Sequence, residues 1–126
     1  FKGDDFFTGL FLKALNDGEI VTEILFPLVE RADYTKFRNP ASRYAMAGVF
    51  VAKGKDGVRV AVTGAGPGVF RQAEMEAALA KNFDPSAIAS IKVDASELNS
   101  DIHGSAEYRA NLVSVMARRA VAAAIK

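Results

Sequence analysis

The 126-residue sequence has no cysteine, no tryptophan and a single histidine, His103. Without cysteine the chain forms no disulfide and supplies no thiolate to a metal or an iron–sulfur cluster. One histidine is too few for a histidine-based metal site. No apolar run approaches the ~20 residues of a membrane-spanning helix. Neither sign of charge dominates, since 16 basic residues face 15 acidic ones for a net charge of +1. That balance gives no electrostatic case for nucleic acid as a partner. Repeats and low-complexity stretches are absent. The chain opens at Phe1, so we expect residues to precede it, and the lack of a visible signal peptide carries no weight.

What is present suits one globular domain. Half of the residues are hydrophobic and a quarter are charged, and the length is sufficient for a real core. The segment Asp5–Leu15, "DFFTGLFLKAL", reads as a loose turn or single helical piece that breaks at "NDGE". Glu19–Leu28, "EIVTEILFPL", reads as a strand. Ile20, Thr22, Ile24 and Phe26 point one way, and Val21, Glu23 and Leu25 the other. That strand should be buried on one face and partly covered on the other.

"ADYTKFR" alternates as well, with Tyr34, Lys36 and Arg38 on one face and Asp33, Thr35 and Phe37 on the other. "NPAS" ends the run. Two β-branched runs, about Ala45–Ala52 and Val58–Thr63, flank Gly54-Lys55-Asp56-Gly57, a hairpin signal. "RQAEMEAALAKN" predicts an amphipathic helix with Met75, Ala78 and Leu79 on its apolar stripe. Asp84 followed by Pro85 predicts a capped second short helix. Ser105–Lys126 predicts a long C-terminal helix. Its expected apolar face is Tyr108, Leu112, Val115, Met116, Ala120 and Ala123, with Arg109, Ser114, Arg118 and Arg119 away from it. Strands come first and helices later. The fold class is therefore α+β: a mostly antiparallel sheet of three to four strands, helices packed on one face, and a long C-terminal helix.

Three stretches invite a functional reading. "VTGAGPGVFR" (Val62–Arg71) is rich in glycine after a strand. A dinucleotide fingerprint requires G-x-G-x-x-G at the first turn of a parallel βαβ unit. Here Val69 takes the third glycine's place, Pro67 removes an amide, and the preceding strand is a hairpin arm. We read a connection that needs positive φ or a close backbone approach. "SDIHGS" places Asp101, His103 and Ser105 close in sequence. Catalytic triads draw their members from separate parts of a fold, so a turn with Ser100, Asp101 or Ser105 capping the next helix is expected instead. Lys36, Arg38 and Arg43 lie among Tyr34, Phe37 and Tyr44. They form either a solvated strand face or a surface for an anionic or aromatic ligand.

The strings "YTKFRNPASRYAMAGVFVA", "GVFRQAEMEAALAKNF" and "LNSDIHGSAEYRANLVSVMARRAV" resemble the C-terminal domain of the FAD-binding medium subunit of carbon monoxide dehydrogenase. More broadly the chain is similar to FAD-binding subunits of the xanthine oxidase family of molybdenum hydroxylases. The opening "FFTGLFLKALNDGEIVTEILFP" resembles the segment that joins that family's FAD-binding domain to this one. The resemblance thus divides the chain into 1–28, a linking segment and first strand, and 29–126, the C-terminal domain.

It implies a component of a multi-subunit oxidoreductase that is not catalytic alone. A large subunit would carry the molybdenum cofactor and a small subunit two 2Fe–2S clusters. The medium subunit would pass electrons through FAD to an acceptor. A dimer of heterotrimers and a cytoplasmic place, or one at the inner face of the membrane, are implied too. FAD would be held mostly by Gly-rich loops that these residues lack, so alone they should not bind it tightly. The implied contacts with the flavin are Val21, with Ile20 beside it, and Arg38, with Lys36 as the alternative cation. Where relatives carry lysine, arginine keeps the charge and changes the shape. Aldehyde- or xanthine-type medium subunits, or a free-standing α+β interaction module without flavin, are the alternatives.

Overall fold

Valine at every second position from 58 to 62 calls for a strand with one buried face. The computed structural model, which describes residues 1–126, places Val58, Val60 and Val62 in such a strand, all buried. Around it the chain runs as follows. α1 (Gly3–Phe6) is one helical turn, and β1 (Phe7–Gly9) with β2 (Leu12–Lys13) makes a small hairpin. β3 (Arg31–Arg38), β4 (Ala45–Gly54), β5 (Gly57–Thr63) and β6 (Phe70–Arg71) form an antiparallel sheet in that order. α2 (Ala73–Lys81), a 3₁₀ turn at Pro85–Ile88 and α3 (Ala106–Ala124) complete it. This is the expected α+β arrangement.

Register explains which residues meet the helices. Asp33, Thr35 and Phe37 pair with Val51, Val49 and Ala47, and Val49 and Val51 pair in turn with Val62 and Val60. This side of the sheet is covered by α3 over β3 and β4 and by α2 over β5. Met75 and Leu79 from α2, Ile88, and Leu112, Val113, Met116, Ala117, Ala120 and Val121 from α3 fill the space between. Each large apolar side chain buried there stabilises by about 1.5–3 kcal/mol. The alanines let α3 lie close to the sheet. The other face carries no helix.

Local chemistry sets the boundaries. Asp84 accepts from the Ser86 amide at 2.8 Å, and Pro85 follows in the first position. The Ser105 hydroxyl accepts from the Tyr108 amide at 3.2 Å and starts α3.

Three expectations are corrected. Glu19–Leu28 is not a strand: no hydrogen bond involves Ile20 through Val29, and the segment is exposed along its length. A strand needs a ladder partner, and these 126 residues offer none to it. Asp5–Leu15 is neither a loose turn nor a lone helical piece, because part of it pairs as β1 and β2. The buried stripe of α3 is rotated from the expected one. Arg109 lies inside it, while Tyr108 is 42% exposed and Val115 and Ala123 sit at its margin.

Candidate functional site

The alternation of β3 sends Tyr34 and Lys36 to the face without helices, opposite Phe50 and Gly48. The Tyr34 hydroxyl crosses Gly48 and hydrogen-bonds the Thr63 hydroxyl at 3.2 Å. A Cβ on residue 48 would collide with both hydroxyl groups, so glycine makes the trough in which the tyrosine lies. Tyr34 and Phe50 remain 44% and 42% exposed. The result is an open surface with two aromatic rings and the half-buried Lys36.

At the end of β3 the register slips between Phe37 and Arg38, which pairs with Ala45. Such a bulge re-aims the side chains beyond it. Arg38 is exposed. The turn after it is tightly bonded: Asn39 Oδ1 accepts from the Ala41 and Ser42 amides at 3.0 and 3.4 Å. The Asn39 amide donates to the Tyr44 carbonyl at 2.8 Å. Arg43 is held at φ 61°, a left-handed conformation costing a non-glycine residue about 1–2 kcal/mol. The ion pairs of the molecule are Arg71 with Asp4 and Glu76, and Arg109 with Asp101. Lys36, Arg38 and Arg43 therefore have no carboxylate partner, and their charge is available to a ligand.

Ile20 and Val21 are not brought to these cations by any hydrogen-bonded element. They are 79% and 48% exposed on the extended arm, which joins the sheet where Glu30 donates to the Lys53 carbonyl. Arg31 starts β3 at that end and Arg38 closes the opposite one.

The glycine-rich stretch is a connection, as read from the sequence, but it runs from β5 to the short strand β6 and not directly into a helix. Gly64 has φ 76°, and a Cβ there would strike the Ala45 carbonyl. Ala65 is fully buried, and its carbonyl accepts from the Asn99 amide at 2.9 Å. The strand before it belongs to an antiparallel hairpin, so there is no βαβ unit for a dinucleotide. An open cleft of about 620 Å³ lies between this loop and β1. Its lining includes Glu74, Asp94 and Glu97 against Lys92, a balance that repels phosphate.

"DIHGSAEYR" proves to be a structural clasp. Asp101 Oδ1 accepts from the His103 amide at 2.9 Å, and Oδ2 accepts from Arg109 Nη2 at 2.8 Å. The His103 amide and the Arg109 guanidinium hold the Asp101 carboxyl below the usual carboxylate range, against the opposing effect of burial. Arg109 Nη1 donates to the carbonyls of Met46 at 2.9 Å and Gly64 at 3.2 Å. Tyr108 packs edge-on against Phe37, with ring centroids 6.3 Å apart. Asp101 is committed to Arg109 and Ser105 to its helix cap, so they assemble no nucleophilic site with His103. Reading Arg109 as surface charge missed this. The signal was its spacing, since 109, 112, 113, 116, 117 and 120 follow one helical stripe.

No group of three or more histidine, aspartate or glutamate side chains is placed to hold a metal ion. No helix is long and apolar enough to cross a membrane.

Residues 34–124 match the model of a family described as CO dehydrogenase flavoprotein C-terminal domain. The glyceraldehyde dehydrogenase medium chain of Sulfolobus acidocaldarius is 34% identical over 131 residues, covering 94% of this chain and 46% of its own. The nicotine 6-hydroxylase medium subunit of Paenarthrobacter nicotinovorans is 33% identical over 130 residues, covering 95% of this chain and 46% of its own. Among solved structures, reconstituted CO dehydrogenase from Oligotropha carboxidovorans aligns with a TM-score of 0.75 at 25% identity, over 95% of this chain and 46% of the other. The chain spans about half the length of the curated relatives it matches.

Proposed function

The chain belongs to the CO dehydrogenase flavoprotein C-terminal domain family, and on that premise we propose that it forms one wall of the FAD site in the medium subunit of a molybdenum hydroxylase. Bound there, FAD supplies the means to accept electrons from iron–sulfur clusters in a small subunit and hand them to an acceptor. A large subunit carrying the molybdenum cofactor completes the assembly, as a dimer of heterotrimers in the cytoplasm.

The residues fit part of a flavin site. The observation that carries the reading is the family match over the sheet-and-helix domain together with Lys36 and Arg38, cations without a carboxylate partner on or beside a face with no helix. Arg38 or Lys36 beside the ring would favour the states that carry negative charge and so tune the potential. Ile20 and Val21 would offer aliphatic contact to the ring. The cleft beside the glycine-rich loop and the one beside the β4–β5 turn are lined by other residues, and Lys36 and Arg38 stand on or beside an open sheet face, as side chains of a lid would. Most of the grip on FAD lies with the flavin-holding region of the medium subunit, ahead of this domain.

The finer reading is an enzyme of carbon monoxide dehydrogenase type. It is supported by the family's description and by the likeness to the Oligotropha enzyme. The glyceraldehyde and nicotine relatives favour a second reading, in which the same domain serves another substrate. The natural full-length chain, purified with its neighbours, tests both. Released flavin identified as FAD and CO-dependent dye reduction are expected. A full-length chain without flavin overturns the flavoprotein reading and leaves the interaction module. Reduction by an aldehyde or N-heterocycle but not by CO overturns only the finer one.

A further inference from the structure

The sheet register sets Lys53 of β4 directly opposite Arg31 of β3. They lie two residues along from Val51 and Asp33, and so on the same side of the sheet, toward the helices. Like charges directly across a strand pair are destabilising. Neither cation has a carboxylate partner, since the ion pairs involve Arg71 and Arg109. Lys53 is half-buried with its Nζ 5.6 Å from the Phe83 ring centroid, an attraction that keeps the ammonium next to the exposed Arg31.

More positive charge gathers at this end. Lys55 is in the β4–β5 turn, and α2 stops at Lys81, two residues before Phe83. α3 starts at the opposite end, where Arg109 bonds the Met46 and Gly64 carbonyls, and runs over β3 and β4. Its 19 residues span about 28 Å, which brings Arg119 and Lys126 toward Arg31 and Lys53. All four of these further cations are exposed and outside any ion pair. The acidic groups there are Glu30, Asp56 and Asp84, and Asp84 is engaged with Ser86. In a chain whose net charge is +1, the remainder is therefore net negative.

We propose that this end, with Arg31 and Lys53 at its centre, docks an acidic segment of another chain of the assembly, one carboxylate of which bridges the two cations. The proposal rests on the multi-subunit reading above. The two oxygens of a carboxylate can accept from both cations at once, which turns repulsion across β3 and β4 into attraction. Phosphate sites draw on free backbone amides. Here the Glu30 amide is taken by the Lys53 carbonyl, and the N-terminus of α3 lies at the far end. An anionic membrane would meet Asp56 at the exposed turn and would not reach the half-buried Lys53 behind it, whereas a protruding side chain does both tasks of contact and fit.

The natural full-length chain, purified with its partner chains, is treated with a carbodiimide, which joins lysine amines to carboxylates in contact with them. Mass spectrometry is expected to find Lys53 or Lys55 joined to an aspartate or glutamate of another chain. Joining only to this chain's own acids, or none at this end, overturns the proposal. Lys53→Gln and Arg31→Gln should each weaken association with the partner chains about 10-fold at low salt and less than about 2-fold at 0.5 M salt. Arg59→Gln, opposite Ala52 on the other face, should leave association unchanged. Because Arg31→Gln relieves a repulsion, that chain alone should melt no lower than the natural sequence. Unchanged association in both variants overturns the docking site, and so does weakened association matched by an equal loss of stability. Binding of polyphosphate or phosphatidylglycerol vesicles by the chain alone, lost in Lys53→Gln, overturns it in favour of phosphate or lipid. A chain that purifies with no other chain overturns the multi-subunit reading as well, whereas partners that co-purify and ignore both variants overturn the docking site alone.

Discussion

Arg109 Nη2 donates to Asp101 Oδ2 at 2.8 Å, and the same guanidinium reaches the Met46 and Gly64 carbonyls. One buried cation thus fastens the start of β4 and the end of β5 to the turn before α3. Its Nε has no partner, so the clasp depends on the fork formed by the other two nitrogens.

Arg109→Met should therefore lower unfolding stability by roughly 3 kcal/mol, because two carbonyls and a carboxylate lose their donor at once. Arg109→Lys should not restore it, since a single ammonium cannot reproduce the planar fork. Asp101→Asn should cost less, as an amide oxygen still accepts. Urea titration of the three variants decides the order. A loss below about 1 kcal/mol for Arg109→Met would remove the clasp from the account.

Gly64→Ala should destabilise by at least ~2 kcal/mol, combining positive φ with a collision against backbone that cannot swing away. Gly68→Ala should be close to neutral, because nothing lies within 4 Å of an added Cβ there. Thermal melts of both variants test the connection reading of this loop. Equal effects at 64 and 68 would contradict it.

Glu76 links α2 to the sheet, accepting from the Val60 amide at 2.8 Å and from Arg71 Nη2 at 2.6 Å. Burial pushes its carboxyl up, but the hydrogen bonds from Arg71 and Val60 outweigh this and leave it below its ordinary value. A depressed folded pKa stabilises fully above the ordinary glutamate value, about 4.3, and that contribution is lost as pH falls through the folded pKa. Stability of the natural sequence should thus decline below about pH 4.5, and Glu76→Gln should flatten that part of the decline while costing about 1–2 kcal/mol at pH 7. Unfolding midpoints from pH 3 to 7 are the measurement.

Arg38→Ala in the assembled enzyme should shift the flavin potential or the acceptor kinetics and leave subunit assembly intact. Arg38→Lys should recover much of the shift, because it restores the charge. Redox titration with size-exclusion chromatography reads both. An unaltered potential and unaltered acceptor kinetics would take Arg38 out of the flavin wall.

The sequence alone determined an alternating run from Ala32 to Arg38, strands at about 45–52 and 58–63, the turn between the last two, the cap at Asp84, Ser105 as one of three candidate caps, and α3. These are set within a few residues of the chain, by alternation, by glycine at a tight turn and by side-chain oxygens that bond the first helix amides. Lys36 could likewise be assigned to the open sheet face from β3's period, whereas the bulge that re-aims Arg38 lies outside that period. Tertiary structure decided two of the features that the sequence misjudged. Glu19–Leu28 reads as a strand, but a strand exists only where an edge is offered, and that edge is non-local. Arg109 reads as surface charge, but carbonyls from positions 46 and 64 and a carboxylate from 101 converge on it and make its burial favourable. Such convergence depends on how distant segments cross, which no local pattern records.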